Sequence, residues 1–86
     1  MLNHINQSDI ILREVSSNPY GHAVVRIEAK ANRETRDYYY NCLFDRTAFT
    51  LPGIDGEFLA VEVGARRLFE QDGEPNILTL TAVAKC

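Results

Sequence analysis

From His22 to Lys30 the chain alternates, with Ala23, Val25, Ile27 and Ala29 interleaved with His22, Val24, Arg26, Glu28 and Lys30. A period of two is the signature of a pleated strand with one buried face. Such a strand commits the chain to a sheet, and the sheet to a second layer that covers its apolar side.

Four breaks divide the chain into five segments. They are Asn18-Pro19-Tyr20-Gly21, Ala31–Thr35, Pro52-Gly53-Ile54-Asp55-Gly56 and Asp72-Gly73-Glu74-Pro75-Asn76. Before the first break, Asp9–Val15 reads as a strand on its β-branched and apolar start. Pro at the second and Gly at the fourth position of Asn18–Gly21 suit a type I turn, which makes a hairpin with the His22–Lys30 strand. Arg36–Phe44 is rich in aromatic residues, which favours a third strand. In that register Tyr38, Tyr40, Cys42 and Phe44 face the core, and Tyr39 and Leu43 form an outer patch. Asn76–Lys85 alternates Leu78, Leu80, Ala82 and Ala84 with Ile77, Thr79, Thr81 and Val83, and reads as the last strand.

The segment between Gly56 and Asp72 carries two signals. Asp55 suits a helix N-cap, Ile54 and Leu59 have the spacing of a hydrophobic staple, and Gly73 suits the residue after the helix. Phe58, Val61, Ala65, Leu68 and Phe69 then form one apolar stripe. Against this, Val61, Val63 and Gly64 are poor helix formers, and Glu57–Val63 alternates as a strand does. With the helix, residues 1–86 form a single α+β domain of order β-β-β-α-β, an antiparallel sheet with one helix packed on one face. Without it, the alternative is an all-β meander.

The bulk numbers narrow the function. With 45% hydrophobic and 24% charged residues, the chain has the apolar content to build a core. Nine Lys and Arg against 12 Asp and Glu give a net charge of −3, the wrong sign for a general nucleic-acid binder. No apolar run approaches the roughly 18 residues of a membrane span. Met1–Ser8 has neither the basic flank nor the apolar stretch of a secretory signal. The two cysteines, Cys42 and Cys86, are too few for a disulfide scaffold and imply reduced thiols in a cytoplasmic protein.

Catalytic and metal motifs are missing from the pattern. His4, His22, Cys42 and Cys86 have no zinc-ligand spacing, so neither metal nor cofactor is expected. Cys42 and His22 fall on opposite faces in the strand register, and Cys42 reads as a small buried hydrophobe. The acids Asp37, Asp45, Asp55 and Glu57 lack a pocket in a sheet this small. Pro52–Glu57 lacks the ending of a phosphate-binding loop. The protein is expected not to be an enzyme.

A partner surface remains. On a helical segment, Leu59 and Val63 lie outward beside Arg66 and Arg67, a composition typical of interfaces, and Tyr39 with Leu43 offers a second patch. Three roles compete: a protein-binding module without catalysis, a homodimer joined through an edge strand or the outer sheet face, and a nucleic-acid accessory protein that uses Tyr39 and the arginines.

The Asn18–Gly21 hairpin, the exit Asp72-Gly73-Glu74-Pro75-Asn76-Ile77-Leu78, the small size and the mild acidity resemble small phage-encoded anti-CRISPR proteins. The resemblance implies a non-enzymatic inhibitor that docks on a nucleic-acid-handling effector complex. It also implies that acidic side chains such as Glu28, Glu34, Asp37 and Asp45 occlude a nucleic-acid groove. That family shares no common motif, so no active residue is carried over.

Overall fold

The computed structural model describes residues 4–69 and 73–85. After a 3-10 turn at Gln7–Asp9 come β1 (Ile10–Ser17), β2 (Ala23–Lys30), α1 (Arg33–Asp45), β3 (Phe49–Leu51), β4 (Ile54–Arg66) and β5 (Ile77–Ala84). The strands form one five-stranded sheet of order β1-β2-β5-β4-β3, antiparallel throughout. The class is α+β with one helix, as expected, but the element order is β-β-α-β-β-β.

The first hairpin follows its turn chemistry. The Asn18 carbonyl accepts from the Gly21 N–H at 3.0 Å, and Asn18 Oδ1 accepts from the N–H groups of Tyr20 and His22, each at 2.9 Å. Pro19 supplies the preset φ that this turn needs after Asn18.

Two segments differ from expectation, and each has a local cause. Residues 36–44, read as a strand, lie in α1. Asn32 caps the helix, its side chain accepting from the Thr35 N–H at 2.9 Å. Glu34 places a negative charge in the first turn. The tyrosine run satisfies both periods at once. Tyr38, Tyr40, Cys42 and Phe44 alternate, but Thr35, Tyr38, Tyr39, Cys42 and Leu43 also stand at helical spacing. The helical set is the one turned inward: Thr35, Tyr39 and Cys42 are buried, whereas Tyr40 and Phe44 are exposed. The helix ends at Arg46, whose left-handed conformation (φ 56, ψ 41) returns its N–H to the Cys42 carbonyl.

The second difference is β4, which occupies the segment read as a helix. Pro52-Gly53 turns a tight hairpin, with Leu51 paired to Ile54 and Gly53 at φ 76. Pro followed by a residue of positive φ is the type II pattern. Asp55 does not cap a helix. Between the Leu51–Ile54 and Phe49–Phe58 pairs, β4 carries two more residues than β3, a bulge in which Gly56 takes φ 103. The Glu57–Val63 alternation is therefore the signal that prevails. The supposed stripe dissolves: Phe58 is buried, while Val61, Ala65, Leu68 and Phe69 are exposed. Asp72, expected near that helix end, lies outside the described residues, as does Cys86.

The register sorts side chains by face. Rows Val25–Ala82–Ala60, Ile27–Leu80–Val63 and Ala29–Leu78–Ala65 cross β2, β5 and β4 on the side of α1. Val25, Ile27, Ala29, Leu78, Leu80, Ala82 and Phe58 form one buried cluster with Tyr39 and Cys42 of α1, Phe49 and Leu51 of β3, and Ile5. Full burial of each large aliphatic or aromatic side chain contributes about 1.5–3 kcal/mol. The sheet curves enough that the Pro52-Gly53 turn returns to β1, where Arg13 Nη1 donates to the Pro52 carbonyl at 3.4 Å. On the opposite face the rows are Ser16–Val24–Val83–Leu59, Glu14–Arg26–Thr81–Glu62, Leu12–Glu28–Thr79–Gly64 and Lys30–Ile77–Arg66.

Candidate functional site

The sequence-derived contact residues do not assemble into one surface. Leu59 and Val63 both lie on β4 but on opposite faces, Leu59 beside Val83 on the open side and Val63 packed against the core. Tyr39, expected on an outer sheet patch, is fully buried on α1. It offers no stacking face to a nucleobase. Arg67 follows β4 directly and is exposed.

Arg66 and Glu28, assigned to two competing patches, bind each other. Arg66 Nη2 and Nε donate to Glu28 Oε1 at 2.6 and 3.2 Å, bridging β4 and β2 over β5. The pair sits beside Ile77, which is buried on this side of the sheet. Arg26 and Glu14 make a second cross-strand pair at 3.5 Å. Glu34 and Asp37 lie instead on α1, on the other side of the sheet from Glu28, and Asp37 pairs with Arg33 at 4.0 Å. Asp45 closes α1, so the acidic residues form no common patch, and two of the four, Glu28 and Asp37, partner the chain's own arginines.

A strand register turns Tyr40 and Phe44 inward, whereas the helix turns them outward. Arg33, Asp37, Tyr40 and Phe44 fall in one line along the helix, on the side away from Thr35, Tyr39 and Cys42. Phe44 is 88% and Tyr40 41% exposed. The two rings stand one turn apart, with the Arg33–Asp37 pair continuing the line toward the N-terminus. The signal that finds this surface in the sequence is the Asn32 cap, because it sets the helical period that turns Phe44 outward.

The inner side of α1 is closed. Tyr39 packs edge-on against Phe49, with ring centroids 5.2 Å apart, and its hydroxyl accepts from the Ile5 N–H at 3.1 Å. Burial pushes the Tyr39 hydroxyl above its ordinary value. Tyr38 is pushed up to about 12, first by burial and then by the neighbouring Cys42. Burial likewise raises the Cys42 thiol, with Asp45 adding to the shift and the Tyr38 hydrogen bond opposing it. A buried thiol with a raised pKa is a poor nucleophile.

One depression of 390 Å³ lies where the N-terminal segment meets the start of α1, lined by His4, Asn6, Asp9, Lys30, Asn32 and Thr35 among others. It is larger than expected for so small a sheet, yet it is open to solvent, and Lys30 and Asp9 bring opposite charges to it. Among the described residues, no three His, Cys, Asp or Glu side chains gather to hold a metal ion. No helix of the described residues is long and apolar enough to cross a membrane. No family model matches this chain, and neither the curated proteins nor the solved structures show a match to it.

Proposed function

We propose that this protein is a non-catalytic protein-interaction module whose contact surface is the outer line of α1, with Phe44 and Tyr40 as anchors. The observation that carries this reading is the exposure of Phe44, 88% on a well-formed helix whose inner side is already packed. Tyr40 lies one turn away, and a pair of aromatic anchors flanked by the Arg33–Asp37 ion pair has the composition of an interface centre with a polar rim. The partner it fits presents an apolar pocket that takes an aromatic side chain from a helix. In the narrower form of this reading, suggested by the resemblance to phage inhibitors, that partner is a nucleic-acid-handling effector.

The test is affinity capture from a bacterial lysate with three baits: the native chain, Tyr40→Ser/Phe44→Ser, and Tyr20→Ser. Tyr20 is equally bare at 85% exposure but sits on the β1–β2 hairpin. The reading expects a protein enriched by the native and Tyr20→Ser baits and lost with the α1 variant. It fails when nothing depends on the α1 substitution.

A further inference from the structure

We propose that β4 pairs with β4 of a second copy of this chain, antiparallel about a two-fold axis at Gly64. This inference is independent of the α1 reading, since it uses a different element.

The starting observation is an incomplete sheet edge. On one side β4 pairs with β5 from Phe58 to Arg66. On the other side β3 reaches only from Ile54 to Phe58. Among the described residues no strand pairs with Leu59–Arg66 on that side. Although α1 packs on β4, Val61, Glu62, Ala65 and Arg66 are exposed. An unpaired row of N–H and C=O groups is a template for another strand. The edge of β1 is a poorer template. The Pro52-Gly53 turn leans on Arg13 there, and a two-fold about Arg13 or Glu14 would set like charges opposite each other.

Side chains select the register. A two-fold perpendicular to the sheet keeps each face continuous, so residues of the same face must meet. About Gly64, Glu62 stands opposite Arg66 of the second copy, and Arg66 opposite its Glu62, all on the open face. Val63 meets Ala65 twice on the other face. Two-folds about Glu62 or Arg66 set like charges together. Those about Val63 or Ala65 leave Glu62 opposite Gly64 or Leu68. Only the Gly64 axis forms two ion pairs. Glu62 has no ion-pair partner within its own chain among the described residues. In the single chain the Arg66 guanidinium reaches inward over β5 to Glu28, so pairing across the seam turns it toward the free edge and exchanges that carboxylate for Glu62 of the second copy.

At the ends of the seam this register sets Val61, 58% exposed at the bulge, opposite Arg67, and Leu68, 38% exposed beyond the strand, opposite Ala60. Five residues of paired edge on each chain make a small seam, so the dimer is a weak one that forms as concentration rises.

Sedimentation velocity over a concentration series tests the proposal with Glu62→Arg and Arg66→Glu. The native chain should pass from a 9.7 kDa species to one of about twice that mass. Each variant alone juxtaposes like charges and should dimerise at least about ten-fold more weakly. Mixed one to one, the two variants match charge for charge, and dimer should return. A native chain that stays monomeric at millimolar concentration overturns the proposal, as does a dimer indifferent to both variants. Hydrogen exchange of the native chain needs no variant. Protection that grows with concentration should appear at residues 62–66 and not in β1, and protection confined to β1 contradicts the proposal.

Discussion

The hydroxyl of Tyr39 accepts the backbone N–H of Ile5 at 3.1 Å, 34 positions away in the chain. That bond ties the segment before β1 to the inner side of α1, and Ile5 itself belongs to the buried cluster. Tyr39→Phe keeps the ring against Phe49 but strands a buried donor. It should cost about 1–3 kcal/mol in a urea melt. Tyr40→Phe, on the exposed side of the same helix, should stay within about 0.5 kcal/mol. Equal costs would contradict the helical placement of the two tyrosines.

Arg46 closes α1 with φ 56, a conformation that costs a side-chain-bearing residue about 1–2 kcal/mol. Arg46→Gly removes that strain, partly offset by the greater freedom of the unfolded chain. Stability should rise by about 0.5–1 kcal/mol, measured by thermal or urea denaturation. A loss on substitution would show that the Arg46 side chain supports the fold in some other way.

A Cβ placed on Gly64 would stand 2.8 Å from Thr79 Oγ1 on the neighbouring strand. Gly64→Ala should therefore destabilise the sheet by about 1–3 kcal/mol, as overpacking does. In a Thr79→Ala background the obstruction is gone, and the same substitution should be close to neutral. Equal penalties in both backgrounds would mean that the glycine is needed for its backbone freedom and not for this approach.

Alkaline pH should weaken the fold through Tyr38 and Cys42. Both groups bind their protons more tightly folded than unfolded, Tyr38 at about 12 against an ordinary 10.0. Above the ordinary values the unfolded chain releases protons that the folded chain still holds, so unfolding becomes more favourable as pH rises. The contribution is whole below those values and is lost as pH climbs through the folded ones. Urea midpoints taken from pH 8 to about 11 should fall. Tyr38→Phe should flatten part of that fall, and a midpoint that rises with pH would contradict the sign.

The parts of the fold set by local pattern were legible. Asn18–Gly21 carries its turn residues in order, and β2 and β5 alternate cleanly, so these elements were placed within a residue or two of their ends. The helix and β4 were exchanged because each segment supports two periods. The tyrosine run fits a strand or a helix, and only the Asn32 cap separates the two. Asp55 and Gly73 imitate helix ends, while the backbone at Gly53 and Gly56 has the positive φ of a turn and a bulge. The exchange hid the candidate surface, since a period of two sends Phe44 to the core. The Glu28–Arg66 pair was beyond local pattern altogether, because 38 positions separate residues that only the order β2-β5-β4 makes neighbours.

Calorimetric titration of the captured partner tests whether Phe44, on the outer line of α1, is the contact anchor. Phe44→Ser should leave the urea midpoint of the isolated chain nearly unchanged, because the ring is 88% exposed. It should weaken binding about thirty-fold, the loss of an anchor worth about 2 kcal/mol. Tyr20→Ser should bind as the native chain does. Undiminished affinity for the Phe44→Ser variant would remove α1 as the contact surface.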